Sequence, residues 1–197
     1  MATRSENSLR IIGGEFRGRK LSFADLPGLR PTGDRLRETL FNWLAPYING
    51  SRCADLFTGS GALALESLSR GAALVTALDT APQVISMLRD HAKTLDCSQL
   101  QLFQDNSITW LTRQAEQSID IVFIDPPFAQ ALWQPSIDAL IQTQCLTNGA
   151  AIYIESGRDT PYQIPSTWRL HREKRAGQVT CRLYFNDADD RNFELKK

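Results

Sequence analysis

Apolar and polar positions follow two different rhythms along the chain. Between residues 35 and 48 the apolar positions recur every three or four residues, which predicts a helix. From residue 53 onward, short apolar runs predict strands at 53–57, 72–79, 100–103, 119–124 and 150–156. The stretches between them predict helices after Gly61, up to Leu95, at 107–114 and at 133–143. Continuous apolar strands that alternate with helices predict an α/β fold, with a mostly parallel sheet and helices on both faces.

The two ends of the chain have a different pattern. Residues 9–23 alternate around glycines, which predicts a small N-terminal β-hairpin extension. After Pro165, the segments TWRLHREK and VTCRLYF predict an antiparallel C-terminal hairpin whose strands are separated by Arg-Ala-Gly-Gln. A Pro/Gly-rich connector, ADLPGLRPTGD, follows the first hairpin. We therefore expect a basic extension and connector at 1–31 and a larger domain at 32–197.

Composition narrows the class of protein. The chain has 197 residues, of which 42% are hydrophobic and 22% are charged, which suits one good-sized core. No apolar run reaches the roughly 18–20 residues that span a bilayer, and the N-terminus lacks the apolar stretch of a signal peptide. The four cysteines form no CxxC pair, which argues against a zinc site or a disulfide framework. We expect a cytoplasmic protein with no metal, and a monomer as the default.

Charge is unevenly distributed although the net charge is zero. Residues 1–52 carry a charge of +4, residues 53–168 carry −7 and residues 169–197 carry +3. The first basic stretch, RIIGGEFRGRK, contains Arg10, Arg17, Arg19 and Lys20, and the second is WRLHREKRAG. Such stretches neutralise phosphates, so they indicate a nucleic-acid partner. The alternative is that both are solvated faces of surface strands.

The segment DLFTGSGALALE (55–66) predicts a ligand-binding turn. A strand ends at Phe57, Gly59 and Gly61 form a tight turn, and a helix opens at once, so backbone N–H groups meet a ligand at close range. Asp79 follows Gly59 by 20 residues, at the end of the next strand, where a carboxylate accepts hydrogen bonds from ribose hydroxyls. The pattern indicates an adenosine-type cofactor and does not separate NAD from S-adenosylmethionine.

A second motif, Asp125-Pro126-Pro127-Phe128, stands at the end of the strand 119–124. That edge of an open α/β sheet is where ligands bind. The carboxylate and the Pro126 carbonyl can accept the hydrogens of a nucleobase amine, whose lone pair is otherwise delocalised into the ring, and Phe128 offers a flat face for the base. Positioning of this kind supports direct methyl transfer without a covalent enzyme intermediate.

Together these motifs resemble the class I S-adenosylmethionine-dependent methyltransferases that act on exocyclic amines. RIIGGEFRGRKL, RPTGDRLRETLFNWL (30–44) and HREKRAGQVTCRLY are similar, more narrowly, to the RsmD-type methyltransferases of guanine N2 in bacterial 16S ribosomal RNA. The resemblance covers roughly residues 9–186. It implies methyl transfer from S-adenosylmethionine to N2 of a flipped guanine, with 16S rRNA in an assembled or assembling small ribosomal subunit as the partner.

The resemblance also implies roles for individual residues. Asp125 and Pro126 would accept the N2 hydrogens and Phe128 would stack on the guanine. The methionine end of the cofactor pocket would be shaped by Asp55, Phe57, Gly59 and Gly61.

At the other end of the cofactor, Asp79 would hold the ribose, where the family more often has Glu. Asn106, or Asp105 in its place, would accept a hydrogen bond from the adenine amine. Arg30 and Arg35, in the motif before the first helix, would join the basic hairpin in binding RNA. Helix capping and an ion pair between Arg35 and Glu38 are the alternative for that motif.

Three other functions fit parts of the pattern. A DNA amino-methyltransferase would share the Asp-Pro-Pro-Phe motif, but the chain has little room for a separate target-recognition domain. A non-catalytic RNA-binding or ribosome-assembly factor would have no need of an intact acceptor motif. An NAD-dependent dehydrogenase would leave that motif unexplained.

Overall fold

The computed structural model describes residues 7–23 and 33–187. Its strands are β1 (Asn7–Arg10), β2 (Lys20–Phe23), β3 (Arg52–Asp55), β4 (Leu74–Asp79), β5 (Leu100–Gln104), β6 (Ile119–Ile124), β7 (Leu146–Gly157), β8 (Trp168–Ala176) and β9 (Val179–Asn186). Its α-helices are α1 (Asp34–Leu44), α2 (Ala62–Ser69), α3 (Pro82–Leu95), α4 (Ser107–Leu111) and α5 (Trp133–Thr143). The predicted order of helices and strands is therefore confirmed.

Seven strands form one sheet in the order β5-β4-β3-β6-β7-β9-β8. Strands β3 to β7 pair in parallel, whereas β9 is antiparallel to both β7 and β8. The predicted parallel sheet with an antiparallel C-terminal hairpin is confirmed. The turn of that hairpin is shorter than expected, because β8 continues to Ala176 and leaves only residues 177–178 between the strands.

Helices cover both faces of the sheet, as the apolar strands predict. One core cluster packs α1, α2 and α3 against one face, with Phe41, Leu65 and Leu88 among its buried side chains. The other cluster packs α4 and α5 against the opposite face. No helix within the described residues combines the length and apolar character needed to span a membrane.

The predicted N-terminal hairpin is a separate two-stranded sheet that packs on α2. Its Leu9, Ile11 and Leu21 are buried in the same core cluster as α1 and α2. The buried Glu66 carboxylate accepts hydrogen bonds from the main-chain N–H groups of Ile12 (2.8 Å) and Gly13 (2.9 Å). The hairpin is therefore fixed to the larger fold by burial and by long-range hydrogen bonds.

The first turn of helix α1, as the structure describes it, does not have the side-chain cap and the Arg35–Glu38 ion pair that were the alternative for the segment 30–44. Its N-cap is Gly33, with no side-chain cap. The ion pair in its first turn joins Asp34 to Arg37 (2.9 Å), rather than Arg35 to Glu38. Arg37 is fully buried and also donates to the carbonyl oxygen of Arg10, so it ties α1 to the hairpin.

Candidate functional site

A cavity of about 700 Å³ opens at the carboxyl edge of the parallel strands, where ligands bind in open α/β sheets. The ends of β3, β4, β6 and β7 meet there with the start of α1. All but one of the predicted catalytic and cofactor residues line it: Asp55, Phe57, Gly59, Asp79, Asn106, Asp125, Pro126 and Phe128. Gly61 does not line the cavity but forms the turn behind it.

The glycine turn brings the main chain close to the cavity. Gly61 is the N-cap of α2 and has a left-handed backbone, with φ of 78°. A Cβ atom at this position would lie 2.3 Å from Cδ2 of Leu88, so a larger residue would strain the backbone and displace that side chain. The N–H of Gly61 donates to the carbonyl oxygen of Thr58 (2.8 Å), which closes the turn.

The carboxylate of Asp79 is held in place beside this turn. One oxygen accepts from the N–H of Gly59 (3.2 Å) and the other from the N–H of Ala81 (2.9 Å), just before α3. Each carboxylate oxygen has a second lone pair, so the group remains able to accept from a ligand hydroxyl. Asp79 is thus a fixed acceptor at the cavity wall.

Asp55 is a buried acid in the same part of the cavity. Burial raises the pKa of its carboxyl to about 7, against opposing effects of the Thr58 hydroxyl and nearby main-chain amides, and the charge of Asp79 adds to the rise. Its Oδ2 atom has no hydrogen bond of normal geometry within the described residues. A buried acceptor without a partner is unfavourable unless a ligand supplies the donor.

The side chains of Asn106 and Asp105 have different partners and line different cavities. The Asn106 amide oxygen caps α4 by accepting from the N–H groups of Ile108 (3.0 Å) and Thr109 (3.1 Å). Asp105 pairs with Arg113 and lines a separate groove of about 580 Å³. Of the two residues, only Asn106 therefore reaches the predicted cofactor cavity.

The Asp-Pro-Pro-Phe motif directly follows β6. Pro126 is buried, Asp125 is half-buried, and the Phe128 side chain is 51% exposed at the start of a short 3₁₀ helix. The Phe128 ring lies 5.7 Å from the ring of Trp133, at an interplanar angle of 52°. The motif therefore combines oxygen acceptors in the cavity with an accessible aromatic face at its mouth.

The basic side chains predicted to bind RNA lie on the hairpin and on α1. Those that the structure describes are all exposed: Arg10, Arg17, Arg19, Lys20 and Arg35. Arg10 and Lys20 are opposite each other in the β1–β2 ladder. Arg30 lies outside the described residues.

Several cavity residues were missed by sequence reasoning. Gly33 and Leu36 bring the start of α1 to the cavity, and Val179 brings the start of β9. The buried Glu155 stands near the end of β7, the strand next to β6, and also lines the cavity. The signal that identified Asp125, a carboxylate at the end of an apolar strand, is present at Glu155 as well.

The chain resembles known proteins over most of its length. The family described as Conserved hypothetical protein 95 matches residues 9–185. Ribosomal RNA small subunit methyltransferase D of Escherichia coli K12 is 46% identical over 181 residues, 91% of each chain. The Haemophilus influenzae protein of the same name is 44% identical over 185 residues, which cover 92% of this chain and 96% of that one.

A solved structure shows that the similarity extends to the fold. The E. coli protein yhhF superposes with a TM-score of 0.85 at 43% identity, covering 93% of this chain and 100% of that one. The chain therefore belongs to the family described as Conserved hypothetical protein 95, together with the ribosomal RNA small subunit methyltransferase D proteins.

Proposed function

We propose that this protein transfers a methyl group from S-adenosylmethionine to the exocyclic N2 of a guanine in 16S rRNA. The observation that carries the proposal is one cavity that joins a cofactor half, around Asp55 and Asp79, to an acceptor half, around Asp125 and Phe128. The names of the relatives support the substrate, because they specify ribosomal RNA of the small subunit.

The cofactor half fits S-adenosylmethionine. Asp79 would accept from the ribose hydroxyls, and the unpartnered Oδ2 of Asp55 would accept from the ammonium group of the methionine portion. Phe57 and the turn at 59–61 would enclose that portion. When bound, the cofactor supplies an electrophilic methyl group on a sulfonium. Asn106 would meet the adenine through its NH₂ group, because its amide oxygen already accepts two main-chain hydrogens.

The acceptor half fits an amine of a purine. Asp125 and the Pro126 carbonyl would accept the two N2 hydrogens, which localises the lone pair on nitrogen for a single in-line displacement. Asp125 would also accept the proton that N2 loses on methylation, along the hydrogen bond that already joins them. Phe128, exposed at the mouth, would stack on the guanine after it leaves its helix.

The basic hairpin supports an RNA substrate. We propose the segment 1–31 as an RNA-binding extension of the methyltransferase domain 32–197, with Arg30 contributing alongside the described cations. Arg37 connects the hairpin to α1, whose first residues line the cavity, so phosphate contacts on the hairpin would position the flipped base. The substrate context would be the assembling or assembled small subunit, and the enzyme would act as a cytoplasmic monomer.

Transfer of tritium from labelled S-adenosylmethionine tests the proposal. The acceptors are 16S rRNA, small ribosomal subunits that lack the modification, and duplex DNA. We expect N2-methylguanine in the rRNA or the subunits and its loss with Asp125→Ala, while cofactor binding persists. Asp159→Ala, at an exposed turn outside the cavity, is the matched control and should retain activity.

Other results would contradict the proposal. Label found only in DNA would favour a DNA amino-methyltransferase. Absence of both label and cofactor binding would favour a non-catalytic assembly factor. Wild-type rates from Asp125→Ala would remove its assigned role.

A further inference from the structure

A second carboxylate stands beside Asp125 in the acceptor half of the cavity. Strands β6 and β7 are parallel neighbours, and their register pairs Ile124 with Ile154. Asp125 directly follows the last residue of β6, Glu155 is the next residue of β7, and both line the cavity. Glu155 is only 7% exposed and lines the cavity from within the sheet.

Glu155 is held in position by two buried aromatic residues. The Tyr153 hydroxyl donates to Oε2 of Glu155 (2.8 Å), and Nε1 of Trp133 donates to the Glu155 carbonyl (2.7 Å). Burial raises the pKa of Tyr153 well above its ordinary value, so its hydroxyl keeps the proton that it donates. Trp133 also contacts the Phe128 ring, so one side chain supports both the acceptor pocket and its aromatic wall.

Both acids also affect the buried thiol of Cys181 on β9. Burial raises the pKa of its thiol to about 12, and the charges of Glu155 and Asp125 both add to the rise. Asp125 and Glu155 thus place two acceptor groups side by side at one wall of the cavity. Adjacent acceptors of this kind suit a ligand edge that presents adjacent donors.

Guanine presents the donors that such a pair would recognise. Its Watson–Crick edge has N1–H beside the N2 amine, whereas adenine has an unprotonated N1 at the corresponding place. We propose that Glu155 accepts the N1–H of the target guanine, beside the N2 hydrogens held by Asp125 and Pro126, and so selects guanine over purines with an unprotonated N1. This inference rests on the proposed function and adds a specificity-determining residue to it.

The test uses a purine that keeps the reactive amine but lacks N1–H. The position methylated by the wild-type enzyme is replaced with 2,6-diaminopurine in 16S rRNA that is then assembled into subunits, and kcat/KM is compared with that for guanine. We expect the wild-type enzyme to discriminate against 2,6-diaminopurine by about 10- to 100-fold, the range for one base-edge hydrogen bond. Glu155→Gln, whose amide can donate to the unprotonated N1, should narrow that ratio by about tenfold or more.

Controls separate recognition from folding. Glu116→Gln, an exposed carboxylate outside the cavity, should leave the ratio unchanged. S-adenosylhomocysteine should bind Glu155→Gln as it binds the wild type, because Glu155 is in the acceptor half. If that variant fails to fold, Glu155→Asp keeps the charge but withdraws it by one methylene, so both kcat/KM on guanine and the discrimination against 2,6-diaminopurine should fall.

The outcomes distinguish this inference from the function on which it rests. In one outcome, the wild type methylates guanine while Glu155→Gln shows the same ratio of kcat/KM on guanine to kcat/KM on 2,6-diaminopurine as the wild type. That result would overturn the role of Glu155 and leave the proposed function standing. A wild-type enzyme that methylates no guanine would overturn both.

Discussion

The buried carboxyl of Asp55 makes cofactor binding depend on pH. Its pKa of about 7 means that the free protein holds this group mostly protonated below neutrality. An ammonium group binds the ionised form, so binding lowers the pKa and releases a proton. Affinity should therefore rise as pH rises through the pKa, and level off above it.

The magnitude follows from the fraction ionised. With a pKa of about 7, roughly 3% of the carboxyls are ionised at pH 5.5 and roughly half at pH 7, so affinity should rise about 15-fold. The ligand's own ammonium, with a pKa near 8 or above, stays charged over this range. Asp55→Asn should show a flat profile and bind at least about tenfold more weakly at pH 7.5, because the charge-assisted hydrogen bond is lost.

Isothermal titration with S-adenosylhomocysteine at several pH values measures this effect. Methylthioadenosine, which lacks the amino-acid portion, is the matched ligand and should bind with little dependence on pH. Calorimetry in buffers of different ionisation enthalpy should show proton release near pH 6. An equal pH profile in the wild type and in Asp55→Asn would refute the reasoning, as would the same slope for both ligands.

The remaining predictions concern the turn, the hairpin anchor and the RNA surface. Gly61→Ala should lower the free energy of unfolding by about 1–3 kcal/mol and weaken cofactor binding, because of the positive φ and the contact with Leu88; an unchanged urea midpoint would contradict this. Glu66→Ala should lower the free energy of unfolding by about 2–3 kcal/mol, because the N–H groups of Ile12 and Gly13 lose a buried carboxylate acceptor. A loss below about 0.5 kcal/mol in urea unfolding would argue against Glu66 as the anchor of the hairpin. Replacing Arg17 and Arg19 with Ala should flatten the logarithmic salt dependence of rRNA binding by about 0.7–0.9 per lost phosphate contact, and an equal slope would count against a phosphate role.

The sequence predicts the sheet and much of the cavity for one physical reason. Apolar runs mark buried parallel strands, and the carboxyl ends of such strands meet at one edge. Asp55, Asp79 and Asp125 each stand at such an end, so their convergence follows from the pattern alone. The same reasoning applied to β7 would have added Glu155.

Other features depend on contacts that no local pattern encodes. Glu66 lies within an apolar helical stretch, and its partners Ile12 and Gly13 are 54 and 53 residues away. The Asn106 oxygen caps a helix only because α4 begins at the next residue. With that oxygen occupied, the side chain offers a ligand its NH₂ group. Element order was thus predictable, whereas the direction of individual polar groups required the fold.

Arg37 joins the basic hairpin to helix α1, beside the cavity. It is fully buried, and burial lowers the pKa of its guanidinium, while it donates to Asp34 in α1 and to the carbonyl of Arg10 in β1. Burying a cation is unfavourable unless its partners fix it, so the contact specifies one arrangement of hairpin and helix. Because Gly33 and Leu36 at the start of α1 line the cavity, the same contact relates the hairpin to the cavity wall. Phosphate contacts on the hairpin would then determine how deeply a flipped base enters, so RNA shape would add to the base selection proposed for Asp125 and Glu155.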